Sequence, residues 1–217
     1  MLRLAHRGDW RRAPENTLAA FRSALGVPGC DGLEFDVRGS ADGVPVVLHD
    51  ETLERVQGRP ERADELGAAA LWALGVPGLE AVLAAAPPPA FLDVELKGPP
   101  VPAVVGVLEA ARGLSLEGAV VSSFEPLTLA WLRGVRPGWS RWLNAEDLSE
   151  LTIAGAVALG CAGISAEWRA IDGRSALRVR AAGLGLGAWT VRRRSTARRL
   201  APLGVAFACV EAAALDG

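Results

Sequence analysis

The chain has 217 residues, with two histidines, one lysine, one methionine, three cysteines and no tyrosine. Cys30, Cys161 and Cys209 are odd in number and far apart, and no Cys-x-x-Cys pair occurs. A disulfide framework and a zinc knuckle are thereby excluded, and the three read as reduced thiols in apolar surroundings. Long apolar runs are also missing. The longest uncharged stretch, Leu151 to Ala166, is interrupted by Gly155, Gly160 and Gly163 and falls short of the about 18–20 residues that span a bilayer. Only five residues precede His6, too few for an export signal, so the expected location is cytoplasmic. A formal net charge of −2 gives no electrostatic basis for nucleic acid as a partner.

What is present is a globular composition, 50% hydrophobic and 22% charged, in a chain long enough to bury a core without staples. Short β-like runs alternate with helical segments, the pattern of a parallel sheet with crossover helices. The extended segments are Leu2–Ala5, Gly32–Val37, Val44–Leu48, Ala90–Leu96, Val120–Phe124, Trp139–Asn144, Gly163–Ala166, Leu186–Val191 and Val205–Val210. Asp42-Gly43 is a turn signal, so Val44–Leu48 is expected to return through a hairpin. Asn16-Thr17 offers a helix start, and the helix Leu79–Ala86 stops at Pro87-Pro88-Pro89, where proline lacks the N–H donor. Another short helix is expected around Ala63 to Leu74. Nine extended segments exceed the eight of a (β/α)8 barrel by one, and the expectation is to discount Trp139–Asn144 or Gly163–Ala166. No repeat or linker divides the chain. The favoured fold is therefore α/β, a single TIM (β/α)8 barrel over residues 1–217, with a short connecting insertion at about 51–89.

Three clusters sit where β-runs end: His6-Arg7-Gly8 with Pro14-Glu15-Asn16-Thr17; Glu34-Phe35-Asp36-Val37 followed by Leu48-His49-Asp50; and Asp93-Val94-Glu95-Leu96-Lys97. In a parallel barrel, the carboxyl ends of all strands share one face. Alternate strand residues point the same way, so Glu34 and Asp36 share a face, as do Asp93, Glu95 and Lys97. Several carboxylates inside an apolar barrel repel one another unless a cation sits between them, and Mg²⁺ or Ca²⁺ suits such oxygen ligands. The competing reading pairs Glu34 and Asp36 with an arginine such as Arg38. His6 and His49 have the near-neutral pKa of acid/base groups, although a lone strand-end histidine is more often structural. The Arg7 fork fits two phosphate oxygens. Lys97, kept in a chain that otherwise uses arginine, is a point charge for an anion or an ion-pair partner of Asp93 or Glu95.

Together, His6-Arg7-Gly8, Pro14-Glu15-Asn16-Thr17, Glu34-x-Asp36-Val37, Val47-Leu48-His49-Asp50-x-Thr52-Leu53-x-Arg55 and Glu95-Leu96-Lys97 resemble the glycerophosphodiester phosphodiesterase family. Ser122-Ser123-Phe124-Glu125-Pro126 and Trp189-Thr190-Val191 resemble its later strand ends, in the same order. The resemblance implies a metal-dependent hydrolase of lipid and glycerol metabolism, active on small glycerophosphodiesters. Its products would be sn-glycerol 3-phosphate and an alcohol. It implies Glu34, Asp36 and Glu95 as ligands of a divalent Mg²⁺ or Ca²⁺ ion, and His6 and His49 as the acid/base pair. Arg7 and Lys97 would face the phosphate with Glu15 beside Arg7, while Trp189 and Phe124 line the organic part of the substrate. A lysophospholipase D-like activity and a non-catalytic phosphate-binding barrel are the alternatives. Two places depart from the pattern. Arg192 follows Trp-Thr-Val where asparagine is common, and Gly204 to Glu211 lacks the usual Gly-Val-Asp and Thr-Asp-Pro. The run Arg192-Arg193-Arg194 with Arg198-Arg199 reads as a solvated helix face, with a phospholipid head-group contact as the minority reading.

Overall fold

A computed structural model describes residues 1–216. Its strands are β1 (Leu2–His6), β2 (Gly32–Gly39), β3 (Pro45–Val47), β4 (Phe91–Leu96), β5 (Ala119–Ser123), β6 (Arg141–Ala145), β7 (Gly163–Glu167), β8 (Gly185–Val191) and β9 (Phe207–Val210). The helices are α1 (Leu18–Leu25), α2 (Glu54–Gln57), α3 (Ala68–Ala73), α4 (Leu79–Ala85), α5 (Ala103–Arg112), α6 (Pro126–Val135), α7 (Glu150–Ala158), α8 (Gly173–Ala181) and α9 (Arg194–Leu200). Strand order runs β1-β9-β8-β7-β6-β5-β4-β2, and a parallel β1–β2 pairing closes the ring. Eight parallel strands thus form a TIM barrel, and closure leaves no edge among them.

The surplus extended segment is β3, which pairs antiparallel with β2 outside the ring. The expectation that Trp139–Asn144 or Gly163–Ala166 would drop out is therefore corrected, because both regions supply barrel strands, β6 and β7. The glycines that weaken β7 and β8 as strand signals have a packing reason. A Cβ at Gly163 would lie 2.6 Å from the Trp142 ring, and one at Gly185 would lie 2.7 Å from it. Trp142 therefore fills space that side chains on β7 and β8 would occupy. The expected helix Ala63–Leu74 is broken into a 3-10 turn, Ala63–Glu65, and α3.

Strand alternation sorts the side chains into two environments. Leu33, Phe35, Val37, Val94 and Val121 face outward and pack with Phe21, Val104, Leu108 and Leu129 from the helices. Inward, Leu4, Val120, Trp142, Phe207 and Cys209 form a separate apolar cluster with Phe91 and Trp189 against it. Rings of Trp142 and Phe207 lie 4.7 Å apart, and those of Phe91 and Phe207 6.2 Å apart. This cluster plugs the barrel below the level of the acidic residues. The region after β3 has its own small core, in which Leu53, Ala63, Ala68, Leu71 and Val76 pack against Val46 and Leu48. It holds the segment carrying His49 and Arg55 against the barrel. Local signals set the helix starts: the Thr17 side chain accepts from Ala20 N ahead of α1, Ser149 caps α7, and Asp172 with Ser175 forms a capping box on α8.

Candidate active site

Register explains how distant residues meet. His6 pairs with Glu34 across β1 and β2, Glu34 with Asp93 across β2 and β4, and Asp36 with Glu95 one step higher. All five have the inward parity. A cavity of about 150 Å³ at this end is lined by His6, Arg7, Glu34, His49, Asp93, Glu95, Lys97, Phe124, Asn144, Ser165, Trp189, Thr190 and Cys209. The backbone around Arg7 is unusual. Arg7 and Asn16 both adopt positive φ, 58° and 56°, a conformation held by surrounding structure in residues with a Cβ. Asn16 N donates to Arg7 O at 3.0 Å, which ties the loop back over β1.

Glu34, Asp36 and Glu95 each offer a carboxylate oxygen within 4.8 Å of the others. They are 3%, 0% and 8% exposed, so their charges are not screened by bulk water. Asp36 is well served, with Arg7 Nε at 3.1 Å, Asn16 Nδ2 at 2.9 Å and Lys97 Nζ at 3.5 Å. Burial pushes the Asp36 carboxyl up, but Arg7, Lys97 and the other nearby donors outweigh it and hold the pKa below its ordinary value. Glu95 accepts from Lys97 at 2.7 Å. Burial, followed by the charge of Asp36, nevertheless raises its pKa to about 7. Glu34 is the outlier. Neither of its oxygens has a hydrogen-bond partner, and burial with Asp36 and Glu95 nearby pushes its carboxyl well above the usual range. An unpartnered buried carboxylate aimed at two others fits the donor set of a hard divalent cation. Arg38 does not fill that role, since its Nε donates to the His49 carbonyl at 2.8 Å.

Each histidine is held by a carboxylate through Nδ1. His6 Nδ1 lies 2.5 Å from Glu211 Oε1, and His49 Nδ1 lies 2.5 Å from Asp50 Oδ1. A carboxylate only accepts, so Nδ1 carries the proton and Nε2 is the nitrogen available for chemistry. His6 Nε2 is 3.7 Å from Glu34 Oε2. Burial, partly opposed by Asp36 and reinforced by Arg7, lowers the His49 pKa and favours the neutral ring. Arg55 orients the His49 side by bonding Asp50 at 2.6 Å and Glu15 at 2.7 and 2.8 Å. Glu15 also binds Arg7 at 3.0 Å. It does not line the cavity but fixes Arg7, which does. Lys97 is paired with Glu95 and stands 5.7 Å from the Phe124 ring centroid. Phe124 meets Trp189 edge to face at 5.4 Å, and the Trp189 indole N–H donates to Ser165 O at 2.8 Å. These two rings therefore form a fixed apolar wall.

Every residue singled out from sequence is thus gathered at one end of the barrel, Glu15 in the supporting layer. Sequence reasoning missed Glu211, 205 positions from His6, and the inward polar residues Ser122, Asn144 and Ser165. Ser122 donates to Asp93 at 2.7 Å and receives a contact from Asn144 at 3.4 Å. Burial, only partly offset by that hydroxyl, raises the Asp93 pKa to about 7. The signal for Ser122, Asn144 and Ser165 was strand parity, which places them on the same inner face.

A TIM barrel with a buried acidic trio and two carboxylate-held imidazoles at its mouth is the class of fold and site that can pair a bound cation with acid/base groups. The chain belongs to the glycerophosphoryl diester phosphodiesterase family, whose model matches residues 6–117. A glycerophosphodiester phosphodiesterase of Caldanaerobacter subterraneus is 54% identical over 52 residues, covering 24% of this chain and 21% of the relative. The match thus spans about a fifth of that relative's length. The Bacillus subtilis uncharacterized protein YqiK is 33% identical over 166 residues, 66% of each chain. Among solved structures, an Oleispira antarctica phosphodiesterase in complex with the product sn-glycerol-3-phosphate superimposes with a TM-score of 0.78 and 24% identity, covering 97% of this chain and 92% of that one. A Thermotoga maritima glycerophosphodiester phosphodiesterase gives 0.83 and 21% identity over 100% and 96%. At these identities, the structural likeness establishes the common fold.

Proposed function

We propose that the chain is a metal-dependent phosphoric diester hydrolase that cleaves glycerophosphodiesters to sn-glycerol 3-phosphate and an alcohol. The observation that carries this reading is the unpartnered Glu34 carboxylate, converging with Asp36 and Glu95 between His6 and the Lys97–Arg7 pair. Family membership and the product held by the Oleispira relative support the choice of substrate. Glu34, Asp36 and Glu95 would hold Mg²⁺ or Ca²⁺, which when bound supplies Lewis-acid polarisation of a phosphoryl oxygen.

The chain's own residues account for the rest. Arg7 and Lys97 offset the charge that grows on the phosphoryl oxygens. His49, whose ring is held neutral, accepts at Nε2 the proton of the nucleophile, either water or the neighbouring glycerol hydroxyl. As the new P–O bond forms, the bond to the leaving alcohol breaks and His6 Nε2 donates a proton to that oxygen. Where the glycerol hydroxyl is the nucleophile, the cyclic phosphate so formed is opened by water in a second step, in which His6 takes the proton of the water and His49 returns one to the glycerol oxygen. Glu211, bonded to Nδ1, keeps the His6 ring in place with Nε2 toward the site. Phe124 and Trp189 hold the organic portion of the substrate against the wall they form. Free thiols at Cys30, Cys161 and Cys209 support a reducing, cytoplasmic setting, and no helix among the described residues is long and apolar enough to cross a membrane.

Release of sn-glycerol 3-phosphate from sn-glycero-3-phosphocholine in the presence of a divalent cation tests the reading. His6→Ala and His49→Ala are each expected to lower kcat by about 10²–10⁴. Turnover near that of the unaltered enzyme in either variant contradicts the acid/base assignment. A lysophospholipid cleaved in preference to glycerophosphocholine shifts the reading to lysophospholipase D.

A further inference from the structure

Beyond Trp189 lies a second groove of about 540 Å³, which adjoins the active-site cavity through the shared Trp189 and Thr190 and is lined further by Glu167, Trp168, Arg169, Arg192 and Arg193. Three guanidiniums face one carboxylate there. Arg169 gives Nη1 to Glu167 at 2.7 Å and stacks 4.5 Å from the Trp168 ring. Arg192 engages only its Nε, with Glu211 at 2.7 Å, so its terminal nitrogens have no protein acceptor among the described residues. Arg193 makes no side-chain hydrogen bond or ion pair among the described residues. Arg199, 5.5 Å from the other part of this cluster at the Trp168 ring, anchors the turn by donating to the Trp168 and Ile171 carbonyls. The groove is therefore a rigid indole platform fringed by unspent N–H donors.

The opposite flank differs. Past Lys97, a cavity of about 240 Å³ sets Arg38 and Arg62 against Glu51 and Asp64, so its charges balance apart from the lysine at its inner end. Of these two flanks, the one beyond Trp189 combines an excess of positive charge among the described residues with a wall shared with the active-site cavity.

We propose that this groove is the leaving-alcohol subsite, and that Arg169, Arg192 and Arg193 make it selective for head groups carrying their own phosphate or carboxylate. The proposal rests on the phosphodiesterase reading above and narrows its substrate class. A guanidinium fork matches the paired oxygens of a phosphate or carboxylate. The quaternary ammonium of choline would instead meet an excess of like charge, with the tryptophan faces and Glu167, already paired with Arg169, to attract it. Arg192 serves two neighbours, because the nitrogen it gives Glu211 also braces the carboxylate behind His6. It is for this reason a poor test variant.

The test compares kcat/KM for glycerophosphoinositol 4-phosphate, glycerophosphoglycerol and glycerophosphocholine, with Arg193→Glu and Arg169→Glu, both at solvent-exposed positions, set beside the unaltered protein. The expected result is a preference of about tenfold for the phosphorylated over the choline head group, the sum of a few exposed charge contacts. Charge reversal at Arg193 is expected to bring the ratio close to one. In the unaltered protein, raising the salt to about 0.5 M should also shrink it, a readout independent of any variant's folding. Equal kcat/KM for all three head groups, a preference for choline, or a preference untouched by both reversals overturns the subsite while leaving the phosphodiesterase reading standing. Hydrolysis of none of the three overturns that reading and the subsite with it.

Discussion

Glu34→Gln is expected to stabilise the cation-free protein and abolish most of its response to divalent cations. Four carboxyl groups, Glu34, Asp36, Asp93 and Glu95, are buried together in the barrel mouth. Asp36 is served by Arg7, Asn16 and Lys97, Glu95 by Lys97, and Asp93 by Ser122. Glu34 alone has both oxygens unpartnered. Glutamine keeps the shape, removes the charge and brings N–H donors toward neighbouring carboxylates. Relieving an unsatisfied buried group is worth about 1–3 kcal/mol. For a chain of this size, about 2 kcal/mol corresponds to a rise in Tm of roughly 4–8 °C in chelator at pH 8. With Mg²⁺ or Ca²⁺ at about 100 times its Kd, the unaltered protein gains about 2.7 kcal/mol, whereas the variant, short of one ligand, gains less than about 1 kcal/mol. Scanning calorimetry with and without cation reads both effects. A variant less stable than the unaltered protein in chelator, yet equally responsive to cation, would refute the reasoning.

Asp93 and Glu95, raised by burial to about 7, bind protons more tightly folded than unfolded. Their contribution is complete below about pH 4 and lost as pH rises through about 7. The cation-induced rise in Tm should consequently be larger at pH 8 than at pH 5.5, and an equal rise at both pH values speaks against the coupling. Glu211 behaves oppositely. Burial would raise its carboxyl, but His6 and Arg192 hold it at about 2; its contribution is present above about pH 4.5 and lost as pH falls toward 2. Glu211→Gln should cost about 1–2 kcal/mol at pH 7 and progressively less as pH falls through about 2 in urea unfolding, while lowering kcat about tenfold or more. Gly8→Ala is expected to destabilise by more than about 1 kcal/mol, since Gly8 has φ of 84° and an added Cβ would lie 2.7 Å from the Ala20 backbone carbon; calorimetry of the variant checks this.

The candidate site was legible wherever its residues obey a local rule. Alternation in β2 and β4 was enough to put Glu34, Asp36 and Glu95 on one inner face, and two scarce histidines at strand ends pointed to the same rim. The His6 partner obeys no local rule. Glu211 reaches His6 only because the barrel closes β9 onto β1, and ring closure is a property of the whole chain. The strand count misled for a related reason. Gly163 looks like a weak strand residue until Trp142 is seen to need its empty Cβ position, while the segment that stands outside the ring, β3, has good β-formers. Its hairpin was read correctly from Asp42-Gly43, but nothing local states that a hairpin partner falls outside a parallel ring. Arg192 registered as a departure from the family pattern. Its meaning emerged only with Glu211 beside it, at 2.7 Å.

The central claim is a divalent cation seated among Glu34, Asp36 and Glu95, next to His6 Nε2. Anomalous diffraction from crystals soaked in Mn²⁺ tests it most directly. The account predicts one strong peak bonded to an oxygen of each of those three carboxylates, lost in Glu34→Gln. A peak bound elsewhere, or none at a saturating concentration, would contradict it.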